Sequence, residues 1–416
     1  MAVSDTLTRS GRTRPKRVLL AWEYGAGRTH YANLLNAARH LRAAGVECLA
    51  ALYDNSTADR EFAAIGVRTL QNFVWPSQRR WQVDWRGQRV NSFTDFLAYT
   101  GLGHPQALVG AIAHYDTLIA QFQPDAILCE QAFGAVLAAR EHLPVIVTGF
   151  CMRLPPIVNG RFPSYPGVHS TYSEPELLTA INRGLALAGR FPLRDITDIL
   201  RVAAVLPQGP VEFDFYPGLR TEAVLPPSVP GLPASVPVEP GNEVFIYLHG
   251  LVQNSEPAMA ALAAIKAPVR AYLPDLRPES VARFSAFTLE PEPVSIEDIV
   301  RRSRCVIHHG GPQLTAACLA MGVPQVVLSK ELDNRVSGSY VAANGLGETC
   351  WLPDATSEWI SAAISRVLED AELKARCRAA APDFLARWFS QDGAKMIADR
   401  VLQSLGTRAP RAPRTT

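Results

Sequence analysis

The stretch CVIHHGGPQLTAACLAMGVPQVVLSKELDNRVSGSYVAANGLG, residues 305–347, decides the reading of this 416-residue chain. An apolar run delivers His308-His309-Gly310-Gly311 to the start of a helix expected over 314–321. Gly322-Val323-Pro324 ends that helix, and Gln325–Ser329 is a second apolar strand. Strand, glycine turn, helix and strand form a βαβ unit, which implies a parallel sheet. Two adjacent glycines let a bulky phosphate approach the backbone. Free N–H groups where the helix begins, such as those of Leu314 and Thr315, point at an anion. A histidine beside them adds a hydrogen bond to a diphosphate. Asp333-Asn334 follows the second strand, and acceptors with amide groups suit the vicinal hydroxyls of a sugar.

The pattern extends outward. Upstream, 244–250 (VFIYLHG) reads as strand and turn, 255–265 as helix, 269–274 as strand and Ile296–Arg302 as helix. Far upstream, 17–24 (RVLLAWEY) ends in the glycine turn GAGRTH. Leu34, Leu35, Ala38 and Leu41 then recur at helical spacing up to Gly45, and VECLAALYD is the next buried strand. Strand 125–130 (DAILCE), helix 134–141 and strand 144–148 (PVIVT) repeat the unit, and 173–206 reads as mainly helical. Between the two series lies VLPPSVPGLPASVPVEP, residues 224–240. Its six prolines fit neither a helix interior nor a central strand, so it is expected to be a linker.

Composition narrows the classes. Lys+Arg is 41 against Asp+Glu 39, a formal charge of +2, so no global footprint for nucleic acid exists. Seven cysteines without CxxC spacing suggest neither a zinc site nor a disulfide framework. No His/Cys/Asp/Glu cluster is apparent, so the metal expectation is none. No apolar run approaches the ~20 residues that cross a bilayer, and no apolar h-region follows the basic N-terminal residues. A cytoplasmic protein is expected, with peripheral membrane contact left open and the oligomeric state unreadable.

The first glycine turn has most parts of a dinucleotide fingerprint, Gly25-x-Gly27 and Asp54, but His30 stands at the third glycine position. His30 sits at a helix N-terminus on the carboxyl edge of the sheet. The helix dipole disfavours extra positive charge there, so the imidazole stays neutral and competent as a base near pH 7. Glu130 ends a strand on the same edge and is placed to orient that imidazole. The competing readings are a packing histidine and a solvated strand-end carboxylate. Trp75, Trp81 and Trp85, interleaved with Arg79, Arg80 and Arg86, form an aromatic, basic loop suited to a planar or anionic acceptor; a packing cluster competes. Phe150 and Arg153 lie in a further loop, FCMRLPP, at the same edge.

Residues 305–347 resemble the donor region of GT-B glycosyltransferases, particularly bacterial nucleotide-sugar transferases related to the UDP-glycosyltransferases. The family pattern HHGGxGT, helix, GVPQ, strand, DQ and GxG is matched by His308–Gly311, Gly322-Val323-Pro324-Gln325, Asp333-Asn334 and Gly345-Leu346-Gly347. HYANLLNAARHLRAAG also resembles the family's first helix, with Asn33 in place of its proline. The resemblance implies an α/β GT-B fold: two Rossmann-like domains with parallel sheets facing across a cleft. Its expected division is a disordered basic arm (1–16), an acceptor domain (17–223), the linker (224–240) and a donor domain (241–385). A C-terminal helix (386–406) returning to the N-terminal domain and a disordered tail (407–416) complete it. It implies His30 as general base and Glu130 in place of the supporting aspartate. His309 would contact the donor diphosphate, with His308, Gly310 and Gly311 beside it. Asp333 and Asn334 would read the sugar, the backbone at Val294 and Ile296 the nucleobase, and His249-Gly250 would face the donor. Gln313-Leu314 departs from the family's glycine and hydroxyl, and Thr315 is a substitute hydroxyl. The implied activity is inverting transfer from a UDP- or dTDP-linked sugar to a hydroxyl or amine of a small-molecule natural product. No cofactor beyond that co-substrate is expected. A non-catalytic nucleotide-sugar binder and a sugar-nucleotide epimerase are the alternatives.

Overall fold

A computed structural model describes residues 14–25, 28–56, 58–76, 90–165, 168–239, 241–248, 255–274, 276–330 and 332–406. The N-terminal sheet holds β1 (Arg17–Trp22), β2 (Glu47–Leu52), β3 (Arg68–Gln71), β4 (Ala126–Glu130), β5 (Val145–Phe150) and β6 (Ala204–Gln208), ordered β3-β2-β1-β4-β5-β6. The C-terminal sheet holds β7 (Glu243–Tyr247), β8 (Val269–Tyr272), β9 (Thr288–Leu289), β10 (Ser303–His308), β11 (Gln325–Ser329) and β12 (Gly347–Trp351), ordered β12-β11-β10-β7-β8-β9. Every pairing in both is parallel. Each sheet reverses strand order once, between β1 and β4 and between β7 and β10. Open α/β sheets bind ligands outside the carboxyl ends of strands at such a reversal. His30 follows β1 and Glu130 ends β4 of the first pair, and His308 ends β10 of the second pair with His309 directly after it.

The strands read as continuous apolar runs because helices cover both faces. Val18, Leu20 and Trp22 pack with Leu34, Leu41 and Phe62 on one face, and Leu19 and Ala21 with Ile112, Phe133 and Val136 on the other. Three expectations need correction. The stretch 173–206 is helical only over Glu174–Leu187, with a short 3₁₀ turn at Ile196–Leu200. Its end feeds the edge strand β6, whose weak alternation concealed it. Arg14 and Lys16, assigned to the mobile arm, pair with Asp125 at 2.9 and 3.5 Å. Finally, the segment 386–406 is not one helix. Helix Ala371–Phe389 stops, Asp392 caps a new helix, Gly393–Ser404, and Ile397, Ala398 and Val401 of the latter bury against the N-terminal core.

The two halves share apolar contacts. Phe150, Met152, Phe213 and Tyr216 join the C-terminal core, with Phe213 edge-on to Tyr340 at 5.6 Å. Glu212 accepts from Trp388 Nε1 at 3.0 Å and pairs with Arg387. The linker is tied down as well: Leu225 donates to the Pro207 carbonyl, and Ser228 Oγ donates to Asp392 Oδ1 at 2.8 Å.

Candidate active site

His30 is the third residue of helix Arg28–Ala43 and is 6% exposed. Its ring stacks on Trp22, with centroids 5.7 Å apart and planes 13° apart. Room for it depends on Gly25, whose φ is +100° and where a Cβ would stand 2.1 Å from His30 Nε2. Nδ1 lies 3.2 Å from Glu130 Oε1, and Nε2 lies 3.2 Å from Arg153 Nη1. A guanidinium can only donate, so Nε2 accepts and Nδ1 carries the proton that Glu130 receives. Burial, helped by the Arg153 charge, holds the imidazole well below its ordinary pKa. Burial pushes the Glu130 carboxyl up to about 8, against the opposing pull of Arg153 and a hydrogen bond from Asn33. Both members of the pair are thus driven toward their uncharged forms, because neither ion is solvated there.

Sequence reasoning missed four supports of this pair. Trp22 forms the wall behind the imidazole. Asn33 lies close enough to Glu130 to favour its anion. Gln131, at φ +48° and buried, lies beside Arg153. With its amide oxygen facing Arg153 it accepts from Nη1 at 3.3 Å and donates to the Tyr24 carbonyl at 3.1 Å. Glu23, fully buried, accepts from Trp75 Nε1 (3.0 Å) and from the backbone N–H groups of Gly134 (3.0 Å) and Ala135 (2.9 Å). It therefore anchors the turn that follows Glu130 to the end of β1. An acidic residue closing an apolar strand was the available signal for Glu23; the others carry none.

On the opposing domain, the glycine loop is built tightly. Gly310 has φ +95°, and a Cβ there would stand 2.6 Å from the Asn334 carbonyl oxygen. Ser337 Oγ donates to the Gly310 carbonyl at 2.7 Å. Helix Leu332–Ala343, which carries Asp333 and the buried Asn334, is thereby clamped against the loop; the Asp333 side chain lies outside the described residues. His309 is half-buried, edge-on to Tyr247 at 5.1 Å, with its ring over Gly311.

Several expected contacts are redirected. His308 is fully buried and faces inward: Nε2 bonds Gln325 Oε1 at 2.9 Å and Nδ1 accepts from the Gly310 N–H at 3.2 Å. Burial pushes its pKa down to about 4, so it is a neutral brace for the loop. The Thr315 N–H and hydroxyl both bond the Gly311 carbonyl, each at 2.9 Å, as an ordinary helical turn requires. The amides ahead of the helical ladder are those of Gln313 and Leu314, because Pro312 has none. The Leu314 side chain joins the C-terminal core. Gln313 Nε2 reaches across to Asn33 Oδ1 at 2.9 Å. Trp75 is fully buried against Tyr24 and Phe73 and cannot line a cleft. Phe150 is buried against Gly209. Val294 and Ile296 are half-buried and flank Ser295, which caps helix Ile296–Arg302. His249, Gly250, Trp81 and Trp85 lie outside the described residues. Among the described residues, no group of three or more His, Cys, Asp or Glu side chains is placed to hold a metal, and no helix is long and apolar enough to cross a membrane.

Residues 259–399 match the family model for the C-terminal domain of erythromycin biosynthesis protein CIII-like proteins. The chain is 30% identical over 203 residues to glycosyltransferase GtfE of Amycolatopsis orientalis, covering 44% of this chain and 46% of that one. It is 29% identical over 245 residues to elloramycin glycosyltransferase ElmGT of Streptomyces olivaceus, covering 57% and 60%. The matches thus span about half the length of these curated relatives. Solved structures are matched almost throughout. The glycosyltransferase VinC in complex with dTDP is matched at TM-score 0.64 and 15% identity, over 94% of this chain and 99% of that one. Spinosyn rhamnosyltransferase SpnG complexed with spinosyn aglycone is matched at TM-score 0.62 and 18% identity, over 92% and 99%. The fold is GT-B, and the relatives and structural neighbours are named glycosyltransferases of natural-product biosynthesis.

Proposed function

We propose that the chain is an inverting glycosyltransferase that moves a sugar from a nucleoside-diphosphate sugar, dTDP- or UDP-linked, to a hydroxyl or amine of a small natural-product acceptor. One observation carries the reading. The His30–Glu130 pair stands at the strand-order reversal of one sheet, and through Asn33 and Gln313 it touches the helix that starts at the glycine loop of the other. VinC with dTDP and SpnG with an aglycone supply the substrate classes by analogy.

The acceptor hydroxyl gives its proton to His30 Nε2 while its oxygen attacks the anomeric carbon from the face opposite the leaving group. The carbon–oxygen bond to the nucleoside diphosphate breaks and configuration inverts. Arg153 holds the Nε2 position and moves aside as the acceptor enters. Glu130 accepts from Nδ1 and stabilises the imidazolium that forms. Charge growing on the leaving diphosphate meets the Gln313 and Leu314 amides, the helix N-terminus and His309. A base of this kind contributes on the order of 10² to 10⁴-fold.

The test is mass spectrometry of products from a grid of dTDP- and UDP-sugars against a library of small natural-product acceptors, run with wild type and His30→Ala. Transfer by wild type with a 10² to 10⁴-fold loss in the variant is expected on the order of that contribution. Transfer undiminished in His30→Ala removes the assigned base. Donor binding without transfer, against every acceptor, favours the non-catalytic alternative.

A further inference from the structure

Gln313 stands where the resembled pattern has glycine, and its side chain leaves the donor loop altogether. Its Nε2 donates to Asn33 Oδ1 at 2.9 Å, although 280 residues separate the two. Gln313 is 8% exposed and Asn33 is 3% exposed, so the bond joins the two domains out of reach of solvent. Asn33 lies one turn beyond His30 on the same helix and therefore on the same face. Its carboxamide also lies beside Glu130, whose Oε2 is buried and unbonded among the described residues, and favours the ionised form of that carboxyl.

A carboxamide has one accepting end and one donating end. With Oδ1 taken by Gln313, the end left for Glu130 is the Nδ2 donor. Donation to a carboxyl favours its anion, and an anionic Glu130 is the form that accepts from His30 Nδ1–H and stabilises an imidazolium. The orientation of one amide thus decides which protonation state of the pair is preferred.

We propose that Gln313 is a positioning residue that fixes the Asn33 amide, holds Glu130 as the acceptor for His30, and ties that arrangement to the seating of the donor helix. This rests on the reading of His30 as the base. Gln313 is the second residue of helix Pro312–Ala320, whose leading amides face the donor diphosphate in that reading.

Removing Gln313 frees Asn33 to turn its oxygen toward Glu130. That oxygen accepts from a protonated carboxyl, so the protonated form gains and the reactive form appears at higher pH. Replacing Gln313 with glutamate goes further, because a carboxylate at 313 draws the Asn33 Nδ2 donor to itself.

The experiment is the pH dependence of kcat and of donor KM for wild type, Gln313→Leu and Gln313→Glu, with dTDP binding by calorimetry to establish that each variant is folded and donor-competent. Gln313→Met takes the place of Gln313→Leu where the latter does not fold. The ascending limb of kcat is expected to move to higher pH by about half a unit or more in Gln313→Leu, the scale of one ordinary hydrogen bond, and further in Gln313→Glu. Donor KM stays within about 3-fold, because the side chain faces away from the diphosphate. A Gln313→Leu profile that overlays wild type, with only a lower Tm, overturns the proposal and leaves Gln313 a domain tie. His30→Ala run in parallel separates the levels. Full rate in that variant defeats the underlying reading, whereas an inactive His30→Ala beside an unshifted Gln313→Leu defeats only this inference.

Discussion

Gly25→Ala tests the site without touching any group that carries chemistry. Gly25 has φ +100°, and its missing Cβ would stand 2.1 Å from His30 Nε2 and 2.6 Å from Cε1. Ordinary contact begins near 3.4 Å, so the imidazole must retreat by roughly 1 Å or the loop must open. The ring cannot retreat toward Trp22, which is stacked behind it. Its 3.2 Å contact with Glu130 is therefore lost or lengthened beyond hydrogen-bonding range. An alanine in this backbone region adds strain of about 1–2 kcal/mol. A displacement of about 1 Å from reacting geometry costs on the order of 10²-fold in rate. The expectation is a kcat lowered by roughly 10²-fold with a Tm drop of a few degrees, since 1 kcal/mol moves Tm by about 1–4 °C in a chain this size. Steady-state transfer assays and thermal unfolding measure both. A Gly25→Ala protein that turns over within about 3-fold of wild type refutes the reasoning, because the imidazole would then have no need of its present position.

Two further variants probe the remaining parts. Glu130→Gln keeps the shape and removes the titration. Burial places the Glu130 pKa at about 8, above its ordinary 4.5, so wild-type kcat rises with pH through that region as the carboxylate forms. The same shift means that the folded state holds the proton more tightly than the unfolded one. Its stabilising contribution is present below about pH 4.5 and is lost as pH rises through about 8. The variant should lose that activity limb, fall on the order of 10²-fold or more in kcat, and keep its Tm at pH 8 where wild type declines. A pH-activity profile for Glu130→Gln like that of wild type would count against the pairing. His308→Ala removes a buried ring whose two nitrogens brace Gln325 and the Gly310 amide. A loss of about 2–4 kcal/mol in urea unfolding, together with weaker dTDP binding, is expected. Weaker binding at unchanged stability would instead mean that His308 touches the donor.

Much of the site was legible in the sequence because its parts are local. Apolar runs, glycine turns and helical spacing placed His30, Glu130 and the HHGG loop at strand ends, since backbone preferences and period act over a few residues. The resemblance then ordered those parts into two sheets. Less legible were the directions in which side chains face. His308 and His309 are neighbours, yet strand alternation sends one inward to Gln325 and leaves the other half-exposed beside Gly311. Trp75 looked like an acceptor wall because it is aromatic and precedes an arginine-rich stretch, but it closes over Glu23 in the core. The edge strand β6 had too little alternation to separate from the helix before it.

By itself the sequence determined the two parallel sheets and the chemical types at the strand ends. Only the tertiary structure decided that Asn33 and Gln313 meet, that Arg153 stands at the outer nitrogen of His30, and that Glu23 anchors the turn after Glu130. The reason is physical. Local pattern constrains residues within a turn or a strand, whereas these contacts join positions 111 to 280 residues apart. Their partners are chosen by which helices and loops the two folded sheets bring within 3.2 Å of each other, and no spacing in the chain encodes that.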